Sequence, residues 1–229
     1  MSITVLLADD NLLIREGVRA LIELSDDVEV VGVAADYDEL LTSAEKLAPQ
    51  VLVTDIRMPP SFQKEGIEAA KMVRKMHPGT GIVILSQYDD PEYAITLLSE
   101  GAAGYAYLLK DRVAEGDQLV RAVREVATGG SMLDPRIVEA LTRPIASDGT
   151  LSSEEESLVA HIAEGMPIKA IANLVGTTPT DVDAQIEKLW VKLAEGVGAG
   201  SRGAIDRLKT LQRAIALREE QGEELSRLL

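Results

Sequence analysis

The first 130 residues alternate short, nearly unbroken apolar runs with stretches whose apolar positions recur at helical spacing. ITVLLA (3–8), VEVVGVA (28–34), VLVT (51–54), GIVILS (81–86) and AGYAYLL (103–109) have the length and composition of buried strands. Between them, 12–24 carries Leu13, Val18, Leu21 and Ile22, and 38–47 carries Leu40, Leu41, Ala44 and Leu47, both mostly at helical spacing. Further helices are predicted at 65–76, 91–100 and 116–128. Five apolar strands alternating with five helices imply a parallel sheet covered on both faces. Gly129-Gly130 ends the last of these helices, 134–144 reads as a short helix closed by Pro144, and the polar IASDGT (145–150) reads as a linker. From Leu151 the strands stop, and helices are predicted at about 152–164, 167–175, 179–195 and 202–228. The expected division is therefore 1–130, a linker over 131–150 with its short helix, a helical unit over 151–201, and a long C-terminal helix over 202–229.

Composition narrows the chemistry. The 229 residues include no cysteine, which excludes disulfides and thiolate-ligated metals, and the two histidines, His77 and His161, lie far apart. No basic segment leads into a long apolar run at the N-terminus, and no stretch approaches the roughly 20 apolar residues of a membrane span. A cytoplasmic protein without membrane attachment is expected. The formal net charge of −15 opposes nonspecific attraction to nucleic acid or anionic lipid.

In a parallel sheet of this kind, ligands bind beyond the carboxyl ends of the strands. Asp9 and Asp10 follow the first strand and Asp55 the third, so the sheet would gather three carboxylates at one edge. Such a cluster calls for a cation, and a hard divalent ion such as Mg²⁺ suits oxygen donors. Ser86 closes the fourth strand and Lys110 follows the fifth. Three acids, a hydroxyl and an ammonium fit a carboxylate nucleophile attacking phosphorus, with the cations neutralising the transferring oxygens. Each acid alone reads as a turn or cap residue; the ordered set carries the assignment. A flavin or small-molecule enzyme on the same sheet would need a phosphate-cradling glycine loop after the first strand, where DDNLL stands instead. No enzymatic turnover is expected.

LLADDN, VTDIRMPP, ILSQYDD and GYAYLLKD resemble the signature segments of response-regulator receiver domains, over about residues 1–130. The resemblance implies a flavodoxin-like, doubly wound, five-stranded parallel domain in a two-component phosphorelay. It implies Asp55 as the phosphoacceptor, with a sensor histidine kinase as the donor. Asp10, Asp55 and the backbone carbonyl of Arg57 would hold Mg²⁺, Asp9 would assist through water, and Ser86 and Lys110 would read the phosphoryl group. Tyr107 matches an aromatic switch position. Loss of the Lys110 ammonium is expected to affect signalling and not folding. One departure is SFQKEG after MPP, which lengthens the loop beside Asp55 and brings Lys64 and Glu65; it reads as a tolerated surface insertion.

Residues 151–193 resemble the helix-turn-helix of the NarL/LuxR family in their apolar framework, including Leu151, Leu158, Ile162, Ile171, Ala172, Val182 and Leu189. The exposed chemistry differs: Asp181, Asp183, Gln185 and Glu154 stand at positions where the family is threonine or basic. Residues 150–196 hold three Lys or Arg against eight Asp or Glu, a net charge of about −5. That balance argues against ordinary DNA recognition and for an output through protein contacts, with a DNA-binding transcription regulator as the alternative. Asp181 also sits where it can cap the second helix of the motif. In the tail, Ala204, Leu208, Leu211, Ile215, Leu225 and Leu229 follow a 4-3 spacing, which suggests a homodimer through this helix or through the receiver.

Overall fold

The computed structural model describes residues 2–87, 93–94, 104–113, 117–138, 151–163, 166 and 168–196. The expected helix at 91–100 falls outside them apart from two helical residues, 93 and 94, and the expected tail helix falls outside them altogether. Strands β1 (Ile3–Ala8), β2 (Val28–Ala34), β3 (Val51–Asp55), β4 (Gly81–Ser86) and β5 (Tyr105–Leu109) lie close to their predicted spans. A sixth strand, β6 (Met132–Leu133), joins them from the stretch expected to be linker. The expectation of five strands is corrected to six. Two residues are too few to display a strand period, so nothing in the sequence pattern announced β6. The sheet is parallel throughout, in the order β2-β1-β3-β4-β5-β6.

Helices α1 (Leu12–Glu23), α2 (Tyr37–Leu47), α3 (Glu65–Met76) and α4 (Gln118–Ala127) cover the two faces. Alternate strand residues feed different cores. Leu6, Leu52, Ile82 and Ile84 pack with Leu40, Ile67 and Val73 on one side. Val5, Leu7, Val53 and Val83 pack with Val18, Ile22, Leu119 and Val123 on the other. Each such fully buried aliphatic side chain contributes roughly 1.5–3 kcal/mol relative to exposure, which is why the strands read as continuous apolar runs. Asn11 starts α1 by accepting from the Leu13 and Ile14 amides at 3.0 and 3.3 Å, and Asp36 starts α2 by accepting from Glu39 at 2.8 Å.

The helical half consists, among the described residues, of α5 (Ser153–Ala163), α6 (Ile168–Val175) and α7 (Pro179–Gly196). Leu158, Val159 and Ile162 of α5 pack with Ile171 and Ala172 of α6 and with Val182, Ile186 and Leu189 of α7. Gly176, at φ 74°, supplies the left-handed turn between α6 and α7. Leu133 and Ile137 belong to the same buried cluster as the α5 residues, so the end of the sheet and the helical half share one apolar core.

Candidate functional site

The crossovers leave the carboxyl ends of β1, β3, β4 and β5 side by side, β1 contributing two polar residues there, Asp9 and Asp10, and the others one each. Asp9 is wholly buried, Asp55 and Ser86 are nearly so, and Asp10 is exposed at the turn into α1. One ligand oxygen from each of Asp9, Asp10 and Asp55 falls within 4.8 Å of the others. Lys110 reaches into this group: its Nζ lies 2.7 Å from Asp9 Oδ2 and 3.0 Å from Asp55 Oδ2. The remaining oxygens are oriented by backbone, Asp9 Oδ1 accepting from Asn11 N–H at 2.9 Å and Asp55 Oδ1 from Ile56 N–H at 2.8 Å. The Lys110 amide donates to the Ser86 carbonyl at 2.7 Å, which ties the ends of β4 and β5 together.

Burial pushes the Asp55 carboxyl above its ordinary range, and the Lys110 ammonium opposes that shift without cancelling it. One ammonium faces three carboxylates here, so the donor set remains short of positive charge. All-oxygen donors with two carboxylates on the open side fit a hexacoordinate divalent ion that keeps several waters. The opening is a pocket of about 210 Å³ lined by Asp10, Asp55, Arg57, Ser86, Tyr93 and Lys110. That volume suits a phosphoryl group and its ion better than an organic ligand.

The structure therefore brings together Asp9, Asp10, Asp55, Ser86 and Lys110, with Arg57 lining the same pocket. Tyr107 lies apart from it, wholly buried on β5 between Ile84 and Leu133. The expectation that losing the Lys110 ammonium affects signalling and not folding presumes an exposed lysine, and the structure does not place it so. Its side chain is only 9% exposed and paired with two acids. Sequence reasoning also missed Gly66, in the first turn of α3. A Cβ there would sit 1.6 Å from the Asp55 carbonyl oxygen, so only glycine lets α3 pass behind the Asp55 backbone. A glycine inside a helical pattern was the available signal.

The lengthened loop is ordered by its own residues. Glu65 accepts from the Ser61 amide at 3.0 Å, from the Ser61 hydroxyl, and from the Gln63 amide at 2.7 Å. Lys64 places its ammonium 5.5 Å from the centre of the Tyr93 ring, whose hydroxyl accepts from Arg57 at 3.0 Å.

In the helical half the acids have other employment. Thr178 and Asp181 form a reciprocal cap on α7: Asp181 N–H donates to Thr178 Oγ1 at 3.2 Å, and Asp181 Oδ2 accepts from the Thr178 hydroxyl at 2.6 Å and the Thr177 hydroxyl at 3.0 Å. These hydrogen bonds, that from Thr178 first, hold the Asp181 carboxyl below its usual range. Ser152 and Glu155 cap α5 in the same way, and Glu155 also pairs with Lys192 at 2.5 Å. Asp183 is half-buried, and burial raises its pKa.

A six-stranded parallel sheet with an acid triad, a hydroxyl and a lysine at its carboxyl edge defines the receiver class of signalling domain. Residues 5–124 match the response regulator receiver domain. The chain is 32% identical over 201 residues to the oxygen regulatory protein NreC of Staphylococcus carnosus (strain TM300), spanning 82% of this chain and 90% of that one. It is also 32% identical over 200 residues to the transcriptional regulatory protein MctR of Rhizobium johnstonii, spanning 86% of this chain and 90% of that one. Among solved structures, the response regulator RcsB in complex with DNA superposes with a TM-score of 0.54 at 25% identity, covering 91% of this chain and 98% of that one. The chain belongs to the response-regulator family, in its NarL/LuxR branch. These relatives give no support to setting DNA recognition aside on charge. The structure removes part of that argument too, because Asp181 and Glu155 are engaged in caps.

Proposed function

We infer that this protein accepts a phosphoryl group on Asp55 from a sensor histidine kinase and passes the change to its helix-turn-helix. The observation that carries the reading is the Asp9–Lys110–Asp55 constellation, with Asp10 and Ser86 on the same sheet edge. An Asp55 carboxylate oxygen attacks phosphorus, the P–N bond of the donor phosphohistidine breaks, and the imidazole leaves with the bond's electron pair. Asp9, Asp10 and Asp55, with the Arg57 carbonyl, are the residues that would hold Mg²⁺, which when bound neutralises charge on the transferring oxygens. Lys110 supplies the second cation, and Ser86 is placed to donate to a phosphoryl oxygen. Tyr107 acts as the buried switch residue on β5. The proposed units are the receiver, now extended to include β6, and the helix-turn-helix from Leu151, joined to the tail that supports a homodimer.

The output partner we propose is duplex DNA. The names of MctR and of the RcsB–DNA complex describe those proteins as a transcriptional regulator and a DNA-bound regulator. The same fold is present here with α7 exposed along its N-terminal turn, where Pro179, Thr180 and Asp181 face solvent. A cytoplasmic location goes with these partners; among the described residues no helix is long and apolar enough to cross a membrane.

The test is acid-labile phosphorylation by acetyl phosphate with Mg²⁺, followed by intact mass. Wild type should gain one phosphoryl group and Asp55→Asn none. Full labelling of Asp55→Asn would overturn the site, as would Mg²⁺ binding unaffected by Asp10→Ala. For the output, selection from random duplexes at about 150 mM salt should recover a two-fold symmetric motif. Recovery of no motif would return the output to protein contacts.

A further inference from the structure

Beyond Lys110 the chain makes a short turn whose next two residues are both charged, and both are paired with the segment that leads to the helical half. Arg112 Nη1 lies 3.2 Å from Asp134 Oδ1, and Arg136 Nη1 lies 3.0 Å from Asp111 Oδ2. The two pairs run in opposite senses: an acid and a base at 111–112 meet an acid and a base at 134–136. The inner pair is the unusual one. Asp134 is 1% exposed, its side chain is wholly covered, and its Oδ1 also accepts from the Arg136 amide at 2.9 Å. A buried carboxylate is costly unless a cation stays with it, so Arg112 is held in place by the penalty of leaving.

The same segment hangs on β5. Leu133 is in register with Tyr107, and the Asp134 amide donates to the Tyr107 carbonyl at 2.8 Å. On its far side, Leu133 and Ile137 share a buried cluster with Leu158, Val159 and Ile162 of α5. Lys110, which contacts the Asp55 carboxylate, therefore sits two residues from the arginine that holds Asp134. Residues 132–138 in turn form the floor on which the first helix of the output packs.

We propose that Arg112–Asp134, seconded by Asp111–Arg136, is a latch that couples the phosphorylation state of Asp55 to the docking of residues 132–138. The proposal rests on Asp55 being the phosphoacceptor. When a phosphoryl group forms at Asp55, the Lys110 ammonium must trade a carboxylate partner for phosphoryl oxygens. The turn that follows then shifts against an anchor that has two discrete arrangements, paired or released. A physical coupling of this kind needs a two-state element biased from both ends, and the buried ion pair supplies one.

Amide hydrogen exchange on the full chain, with and without Mg²⁺ and beryllofluoride, tests it. In wild type, exchange at residues 132–138 should change at least about fivefold on addition of beryllofluoride. Arg112→Gln should exchange faster there without the ligand and show no further response, while Ile56 and Lys110 still respond. Arg112→Lys should restore part of the response. Should Arg112→Gln fail to fold, Arg112→Gln combined with Asp134→Asn removes the buried charge and asks the same question. A wild type whose 132–138 amides stay unchanged while Ile56 and Lys110 respond overturns the latch alone, as does a full response in Arg112→Gln. No response at Ile56 or Lys110 overturns the phosphoacceptor reading and the latch with it.

Discussion

At the edge of the sheet, Asp9 and Asp55 share a single ammonium with Asp10 close beside them, whereas in the helical half Asp181 and Glu155 each have two or more donors arranged round them. The carboxylates of the first group are drawn together by strands that leave them little choice, and burial lifts the Asp55 pKa. Those of the second lie at helix N-termini, where hydrogen bonds lower the pKa of Asp181, first through Thr178, and of Glu155, first through Lys192. The same residue type is thus frustrated in one region and satisfied in the other. Frustration that persists in a core marks a place where a further charge is meant to arrive. Satisfaction marks a residue that completes the fold, whatever its net charge suggests about partners.

Removing the cation of the first group should have the largest effect on this contrast. Lys110→Ala leaves two buried acids facing each other, and we expect a loss of about 3 kcal/mol at neutral pH in urea unfolding. Part of that loss should be recovered on acidification, as a proton replaces the ammonium. Gly66→Ala tests the backbone behind Asp55. The clash with the Asp55 carbonyl should cost about 3 kcal/mol or less if α3 can shift, and it should slow phosphorylation beyond what stability explains.

Neutralising the buried acid of the first region and removing a cap of the second should give opposite signs. Asp55→Asn should stabilise the receiver by about 1 kcal/mol near pH 7. Because the folded state holds the Asp55 proton more tightly than the unfolded chain, wild-type stability falls as pH rises from the ordinary carboxylate range through the raised pKa. The advantage of the asparagine should therefore shrink on acidification, as read by thermal melts across pH. Thr178→Ala should destabilise the helical half by about 1 kcal/mol through loss of the α7 cap. Asp181 has the opposite linkage: its folded pKa is depressed, so its stabilisation is present above the ordinary value and lost as pH falls through the folded one. Smallest of all, Asp183→Asn should change stability by no more than about 0.5 kcal/mol, in the stabilising direction, since it removes a half-buried charge. A large loss there would show that Asp183 belongs with the caps.

Strand periodicity and the residues ending each strand made the sheet and the acid triad legible in the sequence, because a doubly buried strand has an unmistakable apolar run. What stayed hidden depends on residues distant in the chain. Asp134 gives no local sign that Arg112 will cover it, and Met132-Leu133 is too short to show a period. Lys110 was legible as part of the site, but its burial between Asp9 and Asp55 was not. Asp181 was read both as a cap and as an obstacle to nucleic acid; the geometry of Thr177 and Thr178 shows the first, and the relatives do not favour the second.

The two residues of β6 have a consequence for how the molecule behaves in a crowded solution. A parallel sheet exposes a row of backbone donors and acceptors along each outer strand, and an unguarded row invites strands from other chains. Met132 and Leu133 lie against Ala106 and Tyr107 of β5, so that side of the sheet is closed at its middle by the chain's own backbone. Its replacement for open edge is a segment two residues long, too short to template a partner. Variants that loosen residues 132–138 should therefore be watched for self-association as well as for lost signalling.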